Sequence, residues 1–289
     1  MKRRYGFFPG CVMPAKWPWA EKAILLTAKR LGLNFDYLRD TVCCARPGVW
    51  KVLNKNGWIA LTSYNLALAR EQEVALVDSC NGCWLSHFEV NELLRDNPAL
   101  LAKVNEYLST IGKFYDGSVE VKHWLQILNE DVGMKEIQEL VKRPLRLRVV
   151  RHVGCHARKL GDDVLPRYFD EILEALGVEI IDTPYDKMCC GLLLFLADPQ
   201  TSIKKRAGLK LKTANALEVD AMVLTCSGCF DQFSRAITLL REEGDLPENP
   251  PVLHLAELLA LAFGFSPSDF GMIYNTTGNT AKLQAKLGE

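Results

Sequence analysis

Val74-Ala75-Leu76-Val77-Asp78-Ser79-Cys80-Asn81-Gly82-Cys83 is the stretch on which the fold turns, and Ala221-Met222-Val223-Leu224-Thr225-Cys226-Ser227-Gly228-Cys229 repeats it. An unbroken apolar run of this length reads as a strand buried on both faces, the habit of a parallel sheet. Both runs pass directly into a C-x2-C pair that encloses a glycine. Working outward, each pair is preceded by an adjacent Cys-Cys and a lone cysteine. The first set is Cys11, Cys43, Cys44, Cys80 and Cys83; the second is Cys155, Cys189, Cys190, Cys226 and Cys229, which accounts for all 10 cysteines. The spacings are C-x31-CC-x35-C-x2-C and C-x33-CC-x35-C-x2-C, and matching cysteines are offset by 144 to 146 residues. Duplication of one unit is the simplest account, with a boundary near Arg143-Pro144. The expected units are residues 1–144 and 145–271, followed by a polar tail, 272–289, that lies on a partner or frays.

Each half alternates strands with helices. In the first, strands are expected at Tyr5 to Pro9, Phe35 to Leu38 and Val74 to Val77, with helices over Trp19 to Leu31 and about Gly57 to Glu71. In the second, strands are expected at Arg146 to Val153, Val178 to Asp182 and Ala221 to Thr225, with helices from about Val164 to Leu176 and Thr201 to Leu217. This predicts an α/β fold of two pseudo-symmetric repeats, each a small, mostly parallel sheet flanked by helices. Every cysteine then falls in a loop at a strand's carboxyl end, where open α/β sheets place ligands.

With 289 residues, 48% hydrophobic and 24% charged, the composition is that of a globular protein. The formal net charge is zero, with no basic stripe, which argues against nucleic acid as a partner. No apolar run approaches the roughly 20 residues of a membrane span. Lys2-Arg3-Arg4 is followed by too short an apolar segment for an export signal, so a reducing, cytoplasmic setting is expected, with thiols serving as ligands rather than bridges.

Thiolates select zinc, Cu(I) or iron–sulfur clusters. Zinc sites and ordinary cubanes each take four ligands, and five thiols per half is one too many for either. Side chains of adjacent cysteines diverge unless the backbone turns sharply. The spacing therefore favours a larger or irregular iron–sulfur centre, and a cubane with one free thiol is the alternative.

The unit resembles the CCG, or cysteine-rich, domain, and two copies in this length resemble the B subunit of heterodisulfide reductase. The likeness extends to Phe7-Phe8-Pro9-Gly10-Cys11, Cys80-Asn81-Gly82-Cys83, Val119-Glu120-Val121-Lys122-His123, Gly154-Cys155-His156 and Pro251-Val252-Leu253-His254. The resemblance implies two non-cubane 4Fe–4S clusters, one held by each cysteine set. It also implies a disulfide oxidoreductase whose substrate is cleaved or formed between the clusters, with no protein acid, base or nucleophile at the bond. The implied partners are a small electron-delivering protein with cubane 4Fe–4S clusters, like the C subunit of that enzyme, and a flavoprotein like its A subunit.

Methanogen relatives commonly follow the second Cys-Cys with Gly-Ala-Gly-Gly-Gly. Here the chain runs Gly191-Leu192-Leu193-Leu194-Phe195-Leu196-Ala197. That run either greases the pocket beside the second cluster or packs a helix on the sheet. A greased pocket turns attention from an anionic coenzyme heterodisulfide toward a lipoyl-bound sulfur substrate, as in the sulfur-oxidising heterodisulfide-reductase-like complex. Around the cysteines, His156 is a candidate for touching a cluster sulfur or protonating a leaving thiolate. His87, His123 and His254 read as structural, and Trp17, Trp19, Trp50 and Trp84 as core. Lys16, Arg46 and Arg158 read as surface charge, with steadying of an anion as the other reading. Two rivals remain: a non-catalytic electron-relay or assembly module, and a component of a thiol:fumarate reductase or lactate-oxidising complex.

Overall fold

A computed structural model describes residues 4–159, 161 and 163–288. Its eight strands are β1 (Arg4–Phe8), β2 (Asn34–Tyr37), β3 (Ala75–Asp78), β4 (Val121–His123), β5 (Arg148–His152), β6 (Glu179–Ile180), β7 (Ala221–Leu224) and β8 (Val252–His254). They form two four-stranded sheets, ordered β2-β1-β3-β4 and β6-β5-β7-β8, and every pairing is parallel. The α/β fold with two repeats is therefore present. The apolar runs at β3 and β7 sit inside their sheets, as their composition demands.

The order places a topological switch between β1 and β3, and again between β5 and β7. From β1 the chain crosses to one neighbour, and from β3 to the other, so the loops leaving these two strands diverge and open a crevice. Cys11 and Cys80 leave the first switch; Cys155 and Cys226 leave the second. Strand edges differ from the expected bounds by at most two residues. β5 and β6 are each three residues shorter than expected, and β6, an outer strand running into Thr183-Pro184, holds only two. The helix expected over Thr201 to Leu217 begins at Pro199, where Asp198 caps the Thr201 N–H, and contains a π turn at Ile203–Ala207.

The halves are interlocked. Helix Leu255–Ala262, which follows β8, packs on the first half's helix Pro18–Arg30. In return Trp124–Gln126, which follows β4, packs on the second half's helix Val164–Ala175. Each half thus packs on a helix that follows the other's first strand.

The segment after Gly271, expected to lie on a partner or fray, does not fray among its described residues but packs on its own chain. Val252 N–H donates to Thr277 Oγ1, Asn275 Nδ2 donates to Val252 O, and Leu283 and Leu287 are buried. These bonds satisfy the outer edge of β8, which would otherwise lie open. No helix among the described residues is long and apolar enough to cross a membrane.

Candidate iron–sulfur site

Cys80 and Cys226 stand at the N-caps of helices Asn81–Arg95 and Ser227–Glu242, directly after β3 and β7. Cys83 and Cys229 lie one turn further on. Thiols at a helix N-terminus meet unsatisfied N–H groups and a positive dipole end, which favour thiolate. The Cys-Cys pairs come in on irregular loops, and each turns sharply at the next residue: Ala45 has φ +47° and Gly191 φ +91°. This is the tight bend that adjacent cysteines need in order to face one site.

All ten thiols line one cavity of about 250 Å³. Sulfur contacts run without a break from Cys11 to Cys43, Cys44, Cys83 and Cys80, cross to Cys226, and continue through Cys229, Cys190 and Cys189 to Cys155. The crossing is Cys80 Sγ to Cys226 Sγ at 3.8 Å. The ends of this series differ in exposure: Cys11 and Cys43 are exposed, whereas Cys155 and Cys189 are half-buried.

Mutual contact splits the thiol acidities. Cys43, accepting from Cys11 and Cys44, is pulled down to about 2, and Cys189, accepting from Cys155 and Cys190, behaves alike. Cys190 is pushed up to about 12, first by its contact with Cys189. Cys80 accepts from Cys226 and is held well below the usual thiol range. Five thiolates this close repel one another, so full ionisation of either set calls for a cation among them. That donor chemistry fits an iron–sulfur group. Gly10 and Gly154, both at positive φ, keep backbone rather than side chain beside it, and a β-carbon on them would lie 3.5 Å from Cys83 Sγ and 3.8 Å from Cys229 Sγ.

Two polar side chains cross between the halves at the cavity. A β-carbon on Gly228 would lie 3.6 Å from Arg46 Nη2, and one on Gly82 would lie 3.3 Å from His156 Nδ1. Arg46 belongs to the first half and reaches the second C-x2-C turn; His156 does the reverse. His156 thus faces the first half's turn at Cys80 and Gly82 as well as following Cys155. Burial lowers its pKa, so the ring is neutral at pH 7. Lys16 lies away from the cavity lining and is paired with Asp231. Arg158 also stands outside the lining, with Nε and Nη1 shielded and without a hydrogen-bond partner among the described residues.

Leu192 and Leu193 line the cavity, whereas Leu194–Leu196 forms a 3-10 turn with Phe195 under Arg235 and Leu196 in solvent. Two leucines of the run thus grease the cavity, and Phe195 packs on the core from a short turn rather than from a helix on the sheet. Trp50 stands at the cavity, 41% exposed; Trp17 and Trp84 are core, Trp17 stacking on Phe230 at 3.9 Å.

Behind the thiols lies a hydrogen-bonded frame of which sequence reading isolates little. His123 Nδ1 accepts from Leu125 N–H and His254 Nδ1 from Ala256 N–H, which leaves each Nε2 as the donor. His123 Nε2 donates to Asn81 Oδ1, and His254 Nε2 to Ser79 O. Burial pulls these histidines down to about 3 and about 4, so both stay neutral donors. Asn81 also accepts from Thr225 Oγ1 and donates to Val153 O, tying the first C-x2-C turn to the second half. In the first half, Asp78, His87 and Asn65 form a buried series that ends on the Val42 backbone, just before Cys43. The signal for these residues is present in the repeat: polar side chains fall at buried positions beside the cysteines.

Comparison with known proteins agrees with this arrangement. The cysteine-rich domain model, CCG, matches residues 5–86 and 149–234. The chain is 34% identical to the B subunit of ferredoxin:CoB-CoM heterodisulfide reductase from Methanosarcina mazei, over 99% of this chain and 97% of that one. It is 34% identical to a protein of Archaeoglobus profundus described as like the heterodisulfide reductase B subunit, over 91% and 92%. It is 26% identical to the 8-methylmenaquinol:fumarate reductase membrane anchor subunit of Wolinella succinogenes, over 97% and 99%. A solved structure of a hypothetical protein from Helicobacter pylori shares the fold, with TM-score 0.76 and 16% identity, over 96% of this chain and 53% of that one. With ten thiols in register on two such domains, the chain belongs to the family of the heterodisulfide reductase B subunit, whose members serve iron–sulfur oxidoreductases.

Proposed function

We propose that this chain is the component in which a disulfide, or a protein-bound sulfur, is cleaved or formed between two non-cubane 4Fe–4S clusters. The first would be held by Cys11, Cys43, Cys44, Cys80 and Cys83, the second by Cys155, Cys189, Cys190, Cys226 and Cys229. What carries the reading is that five thiols from each half line one shared cavity that reaches solvent at Cys11, Cys43 and Trp50. When bound, the clusters would exchange with the S–S bond the two electrons its cleavage needs.

The chain's own residues then have distinct tasks. Leu192, Leu193 and Val49 give the cavity apolar walls that exclude water and suit a hydrocarbon arm, such as a lipoyl group, better than a doubly anionic coenzyme pair. Arg46, beside Cys80 and Cys226, would hold the negative charge of a departing thiolate. His156, across the cavity and neutral, would offer a ring N–H to sulfur. Electrons would come from a partner with cubane 4Fe–4S clusters, of the C-subunit type, fed by a flavoprotein of the A-subunit type, in the cytoplasm.

The test is anaerobic purification with iron and sulfide analysis and EPR. About eight irons per chain are expected from two four-iron clusters, and two zincs instead would sink the reading. In the assembled complex, Cys190→Ser should abolish disulfide turnover while the chain stays folded; unchanged turnover would refute a working second site. A pure electron relay, the rival reading, would show reoxidation of reduced protein that is indifferent to added disulfide.

A further inference from the structure

The two halves are not electrostatic copies. Phe8 ends β1 and packs edge-on against His87, ring centroids 4.6 Å apart. At the corresponding place the residue types are exchanged: His152 ends β5 and packs edge-on against Phe233 at 5.1 Å. Each pair keeps one six-membered and one imidazole ring, but the imidazole has changed sides. In the first half it lies on the helix, where Nδ1 meets Asp78 and Nε2 meets Asn65. The repeat places Leu224 and Leu211 at those two positions in the second half. There the imidazole stands on the strand, toward the cysteines.

His152 is 1% exposed, and neither ring nitrogen has a hydrogen-bond partner among the described residues. A buried neutral imidazole carries one donor and one acceptor, and native proteins rarely leave both unmet. Its ring nitrogen, Cys190 Sγ and Cys229 Sγ all lie within 4.8 Å of one another. Arg158, with two shielded donor nitrogens that have no partner among the described residues, stands in the same half where the first has Pro14. Among the described residues, His152 is the histidine with both ring nitrogens unmet, and it stands beside the second thiol set.

We propose that His152 donates a ring N–H hydrogen bond to a sulfur of the iron–sulfur centre held by the second cysteine set, and so raises that centre's reduction potential relative to the first. The inference rests on the iron–sulfur reading above. Reduction adds negative charge to the sulfurs, and a donor aimed at them stabilises the reduced form. Phe8 offers the first centre no such donor. His152 is a positioning residue in this role: it tunes the centre and does not touch substrate.

The holoprotein is first assayed for iron and sulfide, since failure there overturns the iron–sulfur reading itself. On loaded protein, pulsed EPR should find a weak nitrogen coupling in the wild type that is absent from His152→Phe. Redox titration of that variant should find one midpoint potential shifted to lower values and the other unmoved, with His152→Gln, which keeps an N–H, recovering part of the shift. Unchanged potentials and couplings in loaded His152→Phe would overturn the proposal, and so would a strong coupling of the size given by directly bonded nitrogen. Should His152→Phe not retain iron, wild-type protein carrying isotopically labelled histidine decides: no histidine coupling at the reduced centre overturns it.

Discussion

Gly48 and Leu193 interlock across the cavity: a β-carbon on Gly48 would lie 2.1 Å from Leu193 Cδ1. Each follows its own half's Cys-Cys pair by a few residues, so the contact sets how closely the two cysteine-bearing loops approach. Gly48→Ala is expected to displace Leu193 and destabilise the protein by about 1–3 kcal/mol, the usual cost of an extra methyl in packed surroundings. Leu193→Ala in the same chain should relieve this. A double-mutant cycle by chemical denaturation should give a favourable coupling of about 1 kcal/mol, and strictly additive losses would show that the two side chains do not meet.

Asn81 is the polar bolt between the halves. Asn81→Leu would leave Val153 O, the His123 Nε2–H and the Thr225 hydroxyl unpaired in a dry interior. At about 1–3 kcal/mol for each unmet group, with partial relaxation, a loss of about 3 kcal/mol is expected. A urea midpoint shifted down at unchanged slope is the reading; a shift near zero would mean the network carries no stability.

Removing the Arg46 guanidinium tests its role beside Cys80 and Cys226. Arg46→Met should lower disulfide turnover by about ten- to a hundredfold, the scale of one lost charge-assisted hydrogen bond. Iron content should hold and Arg46→Lys should recover part of the rate. A variant that loses iron in step with activity would assign Arg46 to cluster retention instead.

Glu257 gives the fold a pH dependence. It is fully buried, and burial raises its pKa from 4.5 to about 8 although it accepts from His254 N–H. The folded chain therefore holds a proton that the unfolded chain releases above pH 4.5. Stability from this group is fully present below that value and is lost at about 1.4 kcal/mol per pH unit until about pH 8. Glu257→Gln should match the wild type near pH 4.5 and exceed it near pH 8, as read from thermal melts across that interval. Parallel melting curves at both ends would remove Glu257 as the cause.

Much of this is legible because cysteine chemistry and strand chemistry leave separate marks. The apolar runs at Val74–Val77 and Ala221–Leu224 locate the interior strands, and the cysteines after them locate the site. The tight bend demanded of the Cys-Cys pairs is met at Ala45 and Gly191. What stays hidden depends on contacts between halves. No spacing says that helix Leu255–Ala262 covers Pro18–Arg30, or that His156 lies over Gly82. The tail escapes a sequence reading because Asn275 and Thr277 look like surface residues until the open edge of β8 supplies their partners. His152 escapes it for a related reason: its meaning lies in an exchange with Phe8 that only side-chain placement makes visible.

The sulfur contact at the crossing point has a consequence for handling and for the order of assembly. Cys80 and Cys226, 3.8 Å apart and on different halves, need only a small movement to join as a disulfide once an oxidant reaches them unmetallated. Such a bond would staple the two domains through the middle of the cavity and consume one thiol from each set. On the proposed iron–sulfur reading, an unloaded chain exposed to air would thus lock itself against later filling, and insertion of iron and sulfide would have to precede oxygen. A preparation that refuses reconstitution should regain the ability after treatment with a thiol reductant.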